Sequence, residues 1–249
     1  MSDPSRQLLR YLRQQAELGG GRIFLERLTA AEALAAAGRY QGLARQAAAP
    51  AALPPAGAEN PVSPGGSLAE LREAALQCTA CRLHAGRKGV VFGEGSPSAQ
   101  VVVVGEAPGQ EEDRTGRPFV GRAGRLLDLM LLSAGFPREH VYICNVLKCR
   151  PPENRNPLPD EMAVCTRLWL HGQIEAIAPR VLLAVGKFAA QVLAASEDSI
   201  GRLRGRVFSY RGTPLVVTYH PAYLLRSPHM TRVAWDDLQL LRKVLHEHA

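Results

Sequence analysis

Four consecutive valines, Val101 to Val104, constrain this chain more than any other feature. Successive side chains of a strand point to opposite faces, so an unbroken β-branched run buries both of them. Strands apolar on both faces belong to parallel sheets with helices packed above and below. The run halts at Gly105 and gives way to EAPGQEEDRTGRPFVGRAG, rich in Gly and carboxylates. RLLDLMLLSAG, after Gly124, then carries leucines at helical spacing. In open α/β sheets ligands bind beyond the carboxyl ends of the strands, so this loop is the first place to look for chemistry.

The same alternation recurs downstream. A second strand is expected over Val141 to Val146, followed by the proline-rich loop LKCRPPENRNPLP, which cannot continue a sheet. Pro159 to Ala178 reads as a helix with acids in its first turn. Arg180 to Val185 is a third strand, and KFAAQVLAAS a helix after Gly186. Arg204 to Tyr210 and Leu215 to Tyr219 form a hairpin into a fourth core strand, which delivers HPAYLLR. Thr231 to His246 is the closing helix. This order predicts a three-layer α/β/α fold with a four-stranded parallel central sheet and three post-strand loops converging at one end.

That domain begins at residue 67 and runs to 249, opening with a capped amphipathic helix, SLAELREAALQCTACRL, that ends in C-x-x-C. Residues 50–66 are rich in Pro, Ala and Gly and read as a linker. Residues 1–49 carry short apolar stripes, among them Leu8, Leu9 and Leu12, and are expected to form a helical N-terminal extension. No apolar run is long enough to span a membrane and the N-terminus lacks the pattern of a secretory signal, so a cytoplasmic protein is expected.

Five cysteines in a cytoplasmic chain argue for metal or redox chemistry over a disulfide framework. Cys78 and Cys81 make the C-x-x-C, while Cys149 and Cys165 stand beside a loop and on a helix. Four thiolates suit a zinc ion or a [4Fe–4S] cluster. Cys144, inside a strand, reads as a small buried hydrophobe. A net charge of +7, carried mostly by Arg, favours a polyanionic partner.

The loops supply the candidate site. Gly105 and Gly109 allow close backbone approach, yet neither a dinucleotide fingerprint nor a P-loop is present. Glu106 and Glu112 are carboxylates of the first loop, and Phe119 is an aromatic that either plugs the core or stacks on a base. Asn145 ends a strand, where its amide either reads a base edge or caps the loop. His220 follows the strand LVVTY and is fixed by Pro221.

Together GEAPGQEED…GRPFVGRAG, NVLKCRPPENRNP and HPAYLLR resemble the signature loops of the family 4, iron–sulfur uracil-DNA glycosylases. The resemblance covers roughly residues 68–246. It implies a repair enzyme that flips uracil out of double- or single-stranded DNA, hydrolyses the N-glycosidic bond and acts as a monomer. It implies that Cys78, Cys81, Cys149 and Cys165 hold a [4Fe–4S] cluster. Phe119 would stack on uracil, Asn145 read its polar edge and His220 bond its O2. Glu106 would be the carboxylate at the sugar, with Ala107, Gly109 and Glu112 around the base. Tyr223, Leu224, Leu225 and Arg226 would enter the DNA groove. Ala107 stands where the best-known family of the superfamily has a catalytic aspartate, so leaving-group stabilisation should dominate. Between Gly116 and Gly124 the chain lacks the basic insertion of the subfamily that crosslinks to abasic DNA, so covalent trapping is not expected. Two competing readings are a glycosylase for deaminated purines and a non-catalytic iron–sulfur DNA-binding module.

Overall fold

The computed structural model describes residues 66–247. The expected extension over 1–49 and all of the linker except Gly66 lie outside the described residues. The chain divides into two units, Met1–Ala56 and Gly57–Ala249, and the described residues all belong to the second.

The sheet is mixed and six-stranded, in the order β1-β3-β2-β4-β6-β5. This corrects the expected four-stranded parallel sheet. The central strands β3 (Tyr142–Asn145), β2 (Val101–Gly105), β4 (Val181–Val185) and β6 (Thr213–Thr218) do run parallel. At the edges, β1 (Glu94–Gly95) and β5 (Val207–Tyr210) are antiparallel to their neighbours. β5 was expected as the first arm of a hairpin, and pairing it antiparallel to β6 is what makes the sheet mixed. β1 is two residues long, too short to leave a periodic signal.

β2 and β4 are buried at every position. Val101 and Val103 point into one apolar layer, Val102 and Val104 into the other. The first layer is closed by α3 (Arg122–Ser133), α8 (Pro221–Arg226) and α9 (Thr231–Glu247). The second is closed by α5 (His171–Ile177), α6 (Lys187–Ala194) and α7 (Ile200–Leu203). Each fully buried Val or Leu contributes about 1.5–3 kcal/mol of hydrophobic stabilisation, so these layers dominate the stability of the unit. No helix of the described residues is long and apolar enough to cross a membrane.

A third apolar cluster lies beside the sheet, built by α1 (Leu68–Leu76), α4 (Pro159–Cys165) and the π-helical turn Thr166–Leu170 that joins α4 to α5. Trp169, 2% exposed, is its largest side chain. Ser67 and Glu70 form the capping box at the start of α1. The helix stops at Leu76, so Cys78 and Cys81 lie in the turn after it, not on its last turn as expected. Its C-cap Gln77 has left helical geometry, which frees the C-x-x-C to curl over the cluster.

Candidate active site

The topology fixes where the chemistry can be. The chain passes from β2 to β3 on one side and then crosses to β4 on the other, so the strand order reverses at β2. That is where open α/β sheets form a crevice at their carboxyl ends. Gly105 pairs with Asn145 across β2 and β3, and the backbone N–H of Gly186 donates to the carbonyl of Thr218 across β4 and β6. The four parallel strands therefore deliver Glu106, Asn145, Gly186 and His220 to one edge.

Glycines set the spacing there. A Cβ on Gly105 would overlap both the Phe119 ring and Asn145 Oδ1, so this glycine makes room for two side chains. Gly186 has φ +96, and a Cβ on it would lie 2.9 Å from His220 Cβ. It is therefore doubly constrained, by its backbone conformation and by the histidine. Gly186 was not anticipated as a site residue; its only signal is a glycine abutting the apolar run RVLLAV.

The structure brings Phe119, Asn145 and His220 together. The Phe119 and His220 ring centroids are 5.7 Å apart at 32°. Phe119 is 6% exposed and belongs to the first apolar layer, so it plugs the core while its ring stands beside His220. Asn145 is buried, and its Oδ1 accepts no hydrogen bond among the described residues. A buried acceptor left unsatisfied costs about 1–3 kcal/mol, which a ligand N–H placed against it would recover.

His220 is the N-cap of α8, and its Nδ1 accepts from the Ala222 N–H at 3.2 Å. The proton of the neutral ring then sits on Nε2, free to donate. Burial, with Arg226 nearby, pushes the His220 pKa down to about 4. The ring is neutral throughout the physiological range.

Glu106 lies where β2 ends, and its carboxyl makes no hydrogen bond or ion pair among the described residues. Burial alone raises its pKa to about 7. An acid desolvated without a partner, at a crevice, is the pattern of a group tuned for function. Glu112 is employed differently. One of its oxygens accepts from the N–H groups of Val120 and Gly121, at 2.9 and 2.8 Å, just before α3. Gly109 begins α2 (Gln110–Thr115), and a Cβ on it would lie 2.7 Å from the other Glu112 oxygen. Ala107 packs toward the third cluster.

The expected DNA-entering loop is a helix, α8, and it splits the four residues assigned to it. Leu224 is 1% exposed and packs in the first apolar layer, so it is not available to a DNA groove. A helical turn that covers a sheet must put one residue of such a run inward. Leu225, 41% exposed, and Arg226 face solvent, while Tyr223 is half-buried with its ring 5.0 Å from Tyr219.

Cys78, Cys81, Cys149 and Cys165 line one pocket, with Arg87 and Lys148 at its wall. Among the described residues no three His, Cys, Asp or Glu side chains gather closely enough to hold a single metal ion. Arg87 donates to Cys149 Sγ at 3.3 Å, and the Lys148 backbone N–H to Cys165 Sγ, also at 3.3 Å. Cys144 is buried inside β3, away from that pocket. Lys148 went unnoticed in the sequence because lysine is rarely buried. It is 1% exposed, and its Nζ donates to the Asn145 carbonyl at 2.6 Å.

The comparisons with known proteins agree with this geometry. The profile of the Uracil DNA glycosylase superfamily matches residues 92–239, which include Glu106, Phe119, Asn145 and His220. The type-4 uracil-DNA glycosylase of Thermotoga maritima is 48% identical over 171 residues, covering 67% of this chain and 88% of that protein. The type-4 uracil-DNA glycosylase of Archaeoglobus fulgidus is 43% identical over 181 residues, 70% of this chain and 90% of its own length. That of Sulfurisphaera tokodaii is 38% identical over 187 residues, covering 72% and 84%. With over half its length matched by the profile, and Glu106, Phe119, Asn145 and His220 at one sheet edge inside the match, the chain belongs to the uracil DNA glycosylase superfamily.

Proposed function

We propose that this protein excises uracil from DNA by hydrolysing the N-glycosidic bond, leaving an abasic site. The observation that carries the reading is the convergence of a stacking ring, an unsatisfied amide, a neutral imidazole and a desolvated carboxyl at one sheet edge.

Breaking the bond puts positive charge on the sugar and negative charge on the departing base. Phe119 offers the base a face, and Asn145 Oδ1 accepts from uracil N3–H. His220 Nε2–H donates to uracil O2 as negative charge develops there. A preorganised donor of that kind is worth about 3–4 kcal/mol in the transition state. Glu106, ionised, opposes the sugar cation and orients the attacking water. Leu225 and Arg226 meet the DNA and Tyr223 supports them. Flipping the base costs a few kcal/mol and least when the base is unpaired or mismatched, so U·G pairs and single strands are good substrates.

The four-cysteine pocket suits a [4Fe–4S] cluster. Its ligands are all thiols, two of the sulfurs receive N–H donors, and two cations stand at the wall. Such a cluster would tie the turn after α1 to the loop after β3 and to α4. The enzyme works as a cytoplasmic monomer.

The test uses labelled DNA carrying a single uracil, hypoxanthine or thymine, incubated with the protein and then treated with alkali. Scission is expected at uracil and not at thymine. Scission at hypoxanthine alone would move the activity to deaminated purines, and binding without any scission would leave only a DNA-binding module. Purified protein should be brown, with iron and sulfide in equal amounts; a colourless zinc protein would remove the cluster from the proposal.

A further inference from the structure

Phe119 carries its ring at φ 50, a left-handed conformation that non-glycine residues rarely hold unless their surroundings force it. Three groups force it here. Gly124, at the start of α3, leaves room for the Phe119 carbonyl, which a Cβ would overlap. Glu112 takes the N–H groups of Val120 and Gly121 that follow. Arg138 takes the carbonyls: Nη2 donates to Pro118 O at 2.6 Å and Nη1 to Phe119 O at 3.3 Å.

Arg138 is itself locked. It pairs with Glu94 at 2.6 Å and with Asp128 at 2.7 Å. It lies in the short 3₁₀ turn Arg138–His140, one residue before the strand that ends in Asn145. The arginine therefore ties the loop carrying the stacking ring to the strand carrying the amide.

We propose that Arg138 is a positioning residue for base recognition: its guanidinium clamps the strained Pro118–Phe119 segment so that the Phe119 face and the Asn145 amide stand in register for one planar base. This rests on the base-site reading above. The ion pairs with Glu94 and Asp128 aim the fork, and the two carbonyl bonds carry the function. Lysine keeps the charge but has no planar fork to span both carbonyls.

The experiment compares Arg138→Lys, Asp128→Asn and Gly124→Ala with the unaltered protein. Inhibition by free uracil, kcat and KM on a single-stranded uracil substrate, and Tm are measured on each. Arg138→Lys should weaken uracil inhibition about tenfold and lower kcat about 10- to 100-fold, since a displacement near 1 Å has effects of that size. KM for DNA should change less than about threefold, because phosphate contacts set it. Asp128→Asn removes one of the two ion pairs that aim the fork but neither carbonyl bond, so it should lower Tm and weaken uracil inhibition far less than Arg138→Lys does. Gly124→Ala displaces the Phe119 carbonyl without changing charge and should reproduce the Arg138→Lys kinetics even if Arg138 variants fold poorly. A lowered Tm with unchanged uracil inhibition and kcat in both Arg138→Lys and Gly124→Ala would overturn the clamp. Unaltered protein that neither excises uracil nor is inhibited by it would instead remove the base-site reading.

Discussion

The crevice at the sheet edge and the four-cysteine pocket lie at opposite ends of one short segment, Asn145 to Cys149, yet they are organised on different principles. In the crevice the protein's own groups orient the histidine and the loop of the stacking ring: Ala222 N–H fixes the His220 tautomer, Glu112 holds the Val120 and Gly121 N–H groups, and Gly105 and Gly186 set the spacing. In the cysteine pocket burial opposes the ionisation a metal ligand needs, raising Cys81 and Cys149 and pushing Cys165 up to about 12. Thiolates there need positive charge at the sulfurs themselves, which a metal centre supplies. The contrast teaches that the crevice is ordered by folding alone, while the proposed cluster would supply the positive charge that the thiols of the pocket beside it need.

The sharpest way to break this contrast is at His220. Replacing it with Gln keeps a hydrogen-bonding side chain but loses the fixed Nε2–H, and should lower kcat about 10²–10³-fold. The circular dichroism spectrum and the iron content of any bound cluster should stay unchanged, because His220 does not line the cysteine pocket. Single-turnover excision measures the first, and a loss below about tenfold would mean the leaving group is stabilised elsewhere.

Proton occupancy offers the next test. His220, with a pKa of about 4, stays neutral from pH 5 upward, so it contributes no limb to the profile. Glu106, raised to about 7, acts as the carboxylate, so kcat should climb with pH through that value and level off above it. At pH 5 that is a loss on the order of 100-fold relative to pH 8, at one decade per unit. The stability effect has the opposite sign. Because the folded-state pKa lies above the unfolded one, the folded state binds more protons between the two, and stability falls as pH rises through that window. Glu106→Gln should therefore flatten the activity profile and raise Tm at pH 8. A profile falling with rising pH near 6.5 would instead make a charged histidine the active form.

How much of this was legible in the chain follows from the range of the interactions. The apolar runs around Val101, Val181 and Leu215 announced their strands because a strand buried on both faces writes its burial into adjacent positions. Phe119, Asn145 and His220 could be singled out as candidates because they lie on loops or at strand ends that share one end of a parallel sheet, while the roles proposed for them came from the resemblance to the family 4 glycosylases. The edge strand β1 could not be, since two residues carry no period and its partner Tyr142 is far away in sequence. Nor could the inward turn of Leu224, which depends on α8 covering the sheet and not on its own apolar neighbours. Arg138 was invisible for a similar reason. Its partners Glu94, Pro118 and Asp128 come from three separate elements, and only the folded sheet draws them together.

Lys148 is where the two regions touch, and it gives the finest test of their separation. Its Nζ supports the Asn145 carbonyl, its backbone N–H meets Cys165 Sγ, and its carbonyl receives the Val91 N–H. Lys148→Met preserves the backbone links and most of the apolar stem, deleting only the ammonium. The Asn145 carbonyl then loses a buried donor, an effect of about 1–3 kcal/mol on stability. If the crevice is organised by its own hydrogen bonds, uracil inhibition should weaken by no more than about tenfold, the share of that energy felt at one amide. The ammonium also places positive charge at the wall of the cysteine pocket, so its loss should lower the reduction potential of a cluster held there. A potential that shifts while uracil inhibition barely moves would separate the two regions through their shared residue; equal and large changes in both would join them into one site.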